Sequence, residues 1–202
     1  MVKIHNMVQG SPEWFDVRAG RITGSNYHRM MVNKDTWIDN AKKLIDNDYR
    51  NDDFVETEDT RRGNRLEGEA RKVYELKYDQ KVTEVGFITN SLIDHLGVSP
   101  DGLIYDDKNV IIGATEIKCR NEDNFNKFTK SQKLKRPALM QIVCYFTVMD
   151  TLEWVDYVEY SETAPYTRNM VVVRVTREEV LEHINEGIKR LTILKEELDE
   201  NI

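Results

Sequence analysis

The sequence predicts an α/β (α+β) fold in which a central mixed, mainly antiparallel sheet is flanked by helices. Three observations carry that expectation. Helical spacing of apolar residues runs from about residue 60 to 78. Short strand-like runs, rich in Val, Ile and aromatic residues, gather between residues 81 and 119 and again between 153 and 176. An apolar segment of helical length, RPALMQIVCYFTVM, lies between those two groups. A chain of 202 residues suits one domain over 1–202 better than two.

The elements follow in order. RITGSNYHRMM reads as a turn leading into a helix, with Thr23 or Ser25 as candidate N-cap. Residues 35–60 are polar and acidic around DNDYRNDDFVETED and read as a loop or weakly packed excursion. In RRGNRLEGEARKVYELKY, Leu66, Ala70, Val73 and Lys77 share one helical face, with Tyr74 beside it. KVTEVGFIT and GLIY read as strands. Asp106-Asp107-Lys108-Asn109 then forms a four-residue hairpin loop into NVIIGATEIKC. RPALMQIVCYFTVM is apolar on nearly every side, with Pro137 in its first turn and Gln141 and Thr147 as polar exceptions; such a helix should be largely buried. EWVDYVEYS and NMVVVRVT are two further strands. Thr176 and Glu179 form a capping box, and Val180, Ile184, Ile188, Leu191 and Leu198 make an apolar stripe on the last helix.

Composition excludes several functions. No apolar run is long enough to span a bilayer, and MVKIHNMVQGSPEW lacks the apolar centre of a signal peptide, so the cytoplasm is the expected compartment. Cys119 and Cys144 cannot form a four-thiolate metal site, and without an export signal a disulfide between them is disfavoured. The four histidines are widely spaced and form no ligand pair. The net charge of −7 argues mildly against nucleic acid as a partner, but a local basic patch on an acidic body can still bind it.

The chemistry concentrates in GVSPDGLIYDDKNVIIGATEIKC. With Tyr105 opposite Val110, Asp101 stands opposite Ala114, and Glu116 lies two residues further along. Side chains alternate across a strand, so Asp101, Glu116 and Lys118 share one face, with the two carboxylates roughly 7–8 Å apart as diagonal neighbours. Gly113 marks a place where a bulge would shift that register. Two carboxylates on one face repel each other, and a divalent cation between them removes the repulsion. Oxygen ligands favour Mg²⁺, with Mn²⁺ as the alternative, over zinc. A lysine beside the ion can orient or deprotonate an attacking water or stabilise charge on a phosphate, and these parts together suit phosphodiester hydrolysis.

The bare acidic-X-Lys pattern is weak. It occurs four times, at Glu75, Asp79, Asp106 and Glu116. Only the last follows a Pro-Asp hairpin on an apolar strand; the bland alternative is an edge strand with a solvent-facing Glu-Lys pair.

Asp101, Glu116 and Lys118 resemble the PD-(D/E)-X-K signature of restriction-endonuclease-like nucleases. The order of further motifs resembles a narrower group, phage lambda exonuclease and related viral recombination nucleases. Gly10, Trp14, Arg18 and ITGS ending at Ser25 match its opening. GNRLEGEA with Glu67 matches its helix motif, Ser99 to Gly102 its Ser-Pro-Asp-Gly, EIKC its Glu-apolar-Lys-Cys, and Gln141 its glutamine in an apolar helix. The match runs in unbroken order from about Gly10 to Phe146.

That resemblance implies roles. Asp101 and Glu116, with the backbone carbonyl of Ile117, would bind Mg²⁺, and Glu67 would join them from its helix. Lys118 and Gln141 would position the nucleophilic water. Arg18, Ser25 and Ser99 would hold the 5′-phosphate, a task suited to a guanidinium fork and hydroxyls. Without the resemblance, Arg18 reads as a salt-bridge partner, Ser25 as a helix cap, Trp14 as core, and Gln141 equally as a structural amide. Arg120 stands where the lambda-type enzyme has proline, and the basic residue that follows there falls here near Asn124; Arg120 is a candidate substitute phosphate contact. Arg61, Arg62 and Arg65 are candidates for DNA-backbone contacts. Residues 35–62, which in the family line the single-strand passage, match poorly. The resemblance further implies double-stranded DNA ends as substrate, a ring-shaped homotrimer and a single-strand DNA annealing protein as partner. An endonuclease or DNA repair nuclease of the same fold, or a non-catalytic DNA-end-binding module, are the alternatives.

Overall fold

A computed structural model describes residues 1–46 and 57–200. The elements are β1 (Val2–His5), α1 (Pro12–Arg18), β2 (Ile22–Thr23), α2 (Trp37–Asp46), α3 (Glu58–Tyr78), β3 (Phe87–Asn90), β4 (Ile93–Val98), β5 (Gly102–Tyr105) and β6 (Ile111–Cys119). They continue with α4 (Glu122–Ser131), α5 (Arg136–Val148), β7 (Trp154–Tyr160), β8 (Met170–Thr176) and α6 (Leu181–Asp199). The strands form two four-stranded sheets, β1-β3-β4-β2 and β5-β6-β7-β8, where the sequence suggested one. Both are mixed. β2 pairs with β4 and β6 with β7 in parallel, and the remaining pairs are antiparallel. A parallel pair needs a long crossover, and α4 and α5 supply it between β6 and β7.

The extra sheet rests on two strands that carry little sequence signal. β1 is four residues long, and β4 holds Asp94, His95 and Gly97 in place of an apolar alternation. His95 has a φ of 58°, which interrupts the regular strand. Gly97 is required: a Cβ there would lie 2.3 Å from the Phe87 ring.

α3 begins where the Thr57 hydroxyl accepts the Thr60 N–H and ends at Asp79 in the left-handed conformation. Its predicted face is its buried face. Leu66, Ala70, Val73 and Tyr74 pack on Ile117, Cys119, Val158 and Tyr160, which project from one side of the second sheet. The opposite side of that sheet, with Ala114, Val155, Tyr157 and Val175, joins α5 and the inner residues of the first sheet in the larger core. Met140 and Ile142 through Val148 of α5 are all buried. Burying each large apolar side chain contributes about 1.5–3 kcal/mol, so this helix is a principal source of stability.

Other expectations change. Tyr27–Arg29 is a 3-10 turn, not a helix capped by Thr23 or Ser25; the Asn26 side chain instead accepts the Thr23 N–H at 2.8 Å. The expected excursion over 35–60 contains α2, whose Ala41 and Leu44 are buried, and the start of α3; residues 47–56 lie outside the described residues. The capping box forms as read, with Glu179 Oε2 accepting the Thr176 N–H at 2.7 Å and the Thr176 hydroxyl accepting the Glu179 N–H at 3.4 Å. The α6 stripe holds except at Ile188, which is 45% exposed, while Leu194 is buried in the core. Both cysteines are free and buried. Among the described residues, no helix is long and apolar enough to cross a membrane.

Candidate active site

The hairpin that carries the two carboxylates closes differently from the sequence reading. Tyr105 pairs with Ile111 rather than Val110, and the register slips again between Ile104 and Tyr105, so that Ile104 pairs with Gly113. Gly113 cannot bear a side chain because a Cβ would lie 2.5 Å from the Trp154 ring. The two slips total two residues, so the side-chain parity survives. Gly102 pairs with Thr115, and one step back Asp101 stands beside Glu116 rather than Ala114. The Asp101 N–H donates to the Thr115 carbonyl at 3.1 Å, and Asp101 Oδ2 accepts the Ile117 N–H at 2.6 Å. Gly102 explains the glycine after the aspartate: a Cβ would lie 2.0 Å from Val82 Cγ1 and 3.0 Å from Thr115 Oγ1.

Glu116 is 1% exposed and is held from both ends. One oxygen pairs with the Lys118 ammonium, and the other accepts the Tyr145 hydroxyl. Gln141 Nε2 donates to that hydroxyl at 3.0 Å, and the Ser99 carbonyl lies 3.3 Å from it. Gln141 therefore reaches the site through Tyr145. Burial pushes the Asp101 carboxyl well above the usual range, and the Glu116 charge pushes it further, against the pull of Lys118. Burial opposes the charge on Lys118, but Glu116 and Asp101 outweigh it and hold the ammonium protonated.

Glu67 lies on α3 at the rim. Its Oε1 accepts Arg71 Nη2 at 2.7 Å, and Arg71 Nη1 pairs with Glu84. Burial raises the Glu67 pKa, and Arg71 and then Lys118 oppose the rise. Among the described residues, no three His, Cys, Asp or Glu side chains gather closely enough to hold one ion. Glu67 thus stands near Asp101 and Glu116 but is bonded to Arg71.

A cavity of about 1590 Å³ opens onto this place, and Arg18, Ser25, Glu67, Arg71 and Asp101 all line it. Arg18 lies over the Trp14 ring at 3.8 Å, so the tryptophan orients the guanidinium. The Ser25 and Thr23 hydroxyls are 3.3 Å apart. Ser99 is engaged elsewhere: it accepts the Trp14 indole N–H at 2.9 Å and donates to the Gly86 carbonyl at 2.8 Å. Arg120 is not among the residues lining this cavity. Its Nε lies 3.3 Å from Glu159 Oε1 and its Nη2 3.3 Å from the Tyr157 hydroxyl. Arg65 also lines the cavity and makes a two-pronged pair with Glu162 at 3.0 and 2.7 Å. Arg62 lies 3.7 Å from Glu58.

This geometry coincides with a family match. The model of the YqaJ-like viral recombinase domain matches residues 13–151, more than half of the chain. The chain belongs to the YqaJ-like viral recombinase family. No curated relative shows significant sequence similarity to it. Among solved structures, it is similar to an alkaline exonuclease, LHK-Exo, from Laribacter hongkongensis. The TM-score is 0.73 and the identity 26%, over 95% of this chain and 94% of that one. The same exonuclease in complex with dAMP gives a TM-score of 0.71 and 26% identity, over 94% and 95%. A phage-related exonuclease from Haemophilus somnus 129PT shares the fold alone, with a TM-score of 0.60 at 14% identity over 93% and 98%. The mixed α/β architecture is thus that of exonucleases.

The donor set of the YqaJ-like site fits a hard divalent cation. Asp101, half-buried, and Glu116, buried, form a like-charged pair; burial first and then the Glu116 charge raise the Asp101 pKa, and a cation would relieve the repulsion. A strand residue sends its N–H and carbonyl to the same edge, so the Ile117 carbonyl leaves β6 on the side where its N–H meets Asp101. All three donors are oxygens, as Mg²⁺ and Mn²⁺ prefer. Sequence reasoning missed Tyr145 and Arg71. Each lies four residues after a residue it did select, Gln141 and Glu67, and the i, i+4 spacing on one helical face was the available signal.

Proposed function

We propose that the chain is a Mg²⁺-dependent 5′-to-3′ exonuclease. It would degrade one strand of linear double-stranded DNA from 5′-phosphorylated ends and leave 3′ single-stranded overhangs for phage-type recombination. The apposition of Asp101 and Glu116, with Lys118 on the same face, carries this reading. Asp101, Glu116 and the Ile117 carbonyl would hold the ion, with Mn²⁺ as a substitute. When bound, the ion supplies Lewis-acid polarisation of the scissile phosphoryl oxygen. Lys118 presents a fixed positive charge to the developing phosphorane oxygen or to the attacking water. Tyr145, oriented by Gln141, keeps Glu116 facing the site. Arg18 and Ser25, on the cavity wall, would receive the terminal 5′-phosphate. Ser99 would join them by exchanging its bond to Gly86 for one to the phosphate. The complex of LHK-Exo with dAMP supports release of mononucleotides.

The same proposal includes action in the cytoplasm, that of the host for a phage-encoded chain, together with a homotrimer around the DNA and a single-strand annealing protein as partner; the trimer and the partner rest on the family resemblance. Light scattering of the purified chain tests the trimer.

The catalytic reading is tested with Mg²⁺ and linear duplex bearing 5′-phosphate or 5′-hydroxyl ends, beside closed circular DNA. Degradation of the phosphorylated ends with the circle intact is expected. Nicking of the circle favours an endonuclease, and end binding without cleavage favours a DNA-end-binding module. Full activity in Lys118→Ala would remove the catalytic assignment.

A further inference from the structure

We propose that Arg71 sets the cation affinity of the site by holding Glu67 in a salt bridge, and that Glu84 tempers this hold by sharing the guanidinium. The inference rests on the metal-binding reading above and deepens it. Arg71 lies one helical turn beyond Glu67 on α3, so the two side chains emerge on the same face. Its guanidinium is clamped between two carboxylates, Glu67 at 2.7 Å and Glu84. The residue is 9% exposed and lines the cavity, and its Nε has no hydrogen-bond partner. A buried cation bonded through only part of its fork is not arranged for stability alone, because its unpaired N–H is a cost.

The charges give the arrangement its consequence. When ionised, Asp101, Glu116 and Glu67 carry three negative charges against the two positive ones of Lys118 and Arg71, and the exposed Glu84 adds a fourth negative charge at the rim. Arg71 occupies the carboxylate that would otherwise turn toward the ion. This accounts for the absence of a three-carboxylate cluster among the described residues although Glu67 is near Asp101. Removing Arg71 would raise the negative excess by one charge and free Glu67 to become a ligand. Removing Glu84, whose side chain is 72% exposed, would leave Arg71 to neutralise Glu67 more fully. The two substitutions should therefore act in opposite directions.

The test is Mn²⁺ binding to the full chain without DNA, read as free Mn²⁺ by electron paramagnetic resonance. Arg71→Gln should bind Mn²⁺ about tenfold more tightly than the wild type, chiefly because the freed Glu67 carboxylate adds an oxygen ligand to the ion. Glu84→Gln should bind it more weakly. In a Glu67→Gln background, Arg71→Gln should lose most of its gain. Arg71→Gln binding no more tightly than the wild type, or gaining equally with and without Glu67, overturns the proposal. Glu84 is exposed and its replacement should not disturb folding, so unchanged binding in Glu84→Gln overturns it as well. Absence of Mn²⁺ binding in the wild type, by contrast, would remove the metal reading itself and this inference with it.

Discussion

The Tyr145 hydroxyl donates to the buried Glu116 carboxylate across two elements, α5 and β6, that are 29 residues apart in sequence. Gln141 completes the chain by donating to the same hydroxyl. Tyr145→Phe keeps the ring in the core and deletes the donor. Residues that orient a metal ligand typically contribute 10–100-fold to metal affinity or activity, so a loss of about that size is expected. It should appear in kcat and in the Mg²⁺ requirement, not in DNA affinity. Steady-state kinetics over a Mg²⁺ series checks it; an unchanged Mg²⁺ dependence would reduce Tyr145 to a packing residue.

Arg18 and Ser25 share the cavity wall with Asp101, and Trp14 fixes the Arg18 plane. Charge-assisted hydrogen bonds contribute about 1.5–3 kcal/mol. Arg18→Ala should therefore reduce the preference for 5′-phosphate over 5′-hydroxyl ends by about 10–100-fold. Cleavage rates on the two substrates measure this, and an unaltered ratio would place the phosphate elsewhere.

Gly102 carries Asp101 into the hairpin against Val82. Gly102→Ala places a methyl group where Val82 stands, and overpacking of this kind costs about 1–3 kcal/mol. Chemical denaturation should show that loss. Activity should fall further than the folded fraction does, because the strand displaced is the one that positions Asp101.

Glu159 faces Lys118 across β6 and β7, is 3% exposed, and has one oxygen without a hydrogen-bond partner. Burial raises its pKa above 4.5, and Arg120 opposes the rise. A carboxyl whose folded pKa is raised binds its proton more tightly in the folded state, so its contribution to stability falls as pH rises from 4.5 through the folded value. The stability of Glu159→Gln relative to the wild type should improve over that interval. Denaturation at a series of pH values tests the sign, and a difference that is flat or declines with pH contradicts it.

Period-two alternation placed Asp101, Glu116 and Lys118 on one face before any register was known. That conclusion survived because the hairpin slipped by two residues, an even number. Local spacing likewise revealed the buried face of α3, the largely apolar α5 and the capping box at Thr176. All of these depend on residues a few positions apart. What only the tertiary structure decided is which polar group each candidate meets. Arg120 was a candidate phosphate contact, yet it meets Glu159 from a strand 39 residues away. Ser99 meets Trp14, 85 residues away, and Glu67 meets an arginine whose other partner, Glu84, comes from beyond the helix. Periodicity fixes the direction of a side chain from its own element, but a hydrogen bond or ion pair needs a second element at about 3 Å, and packing alone brings that element there.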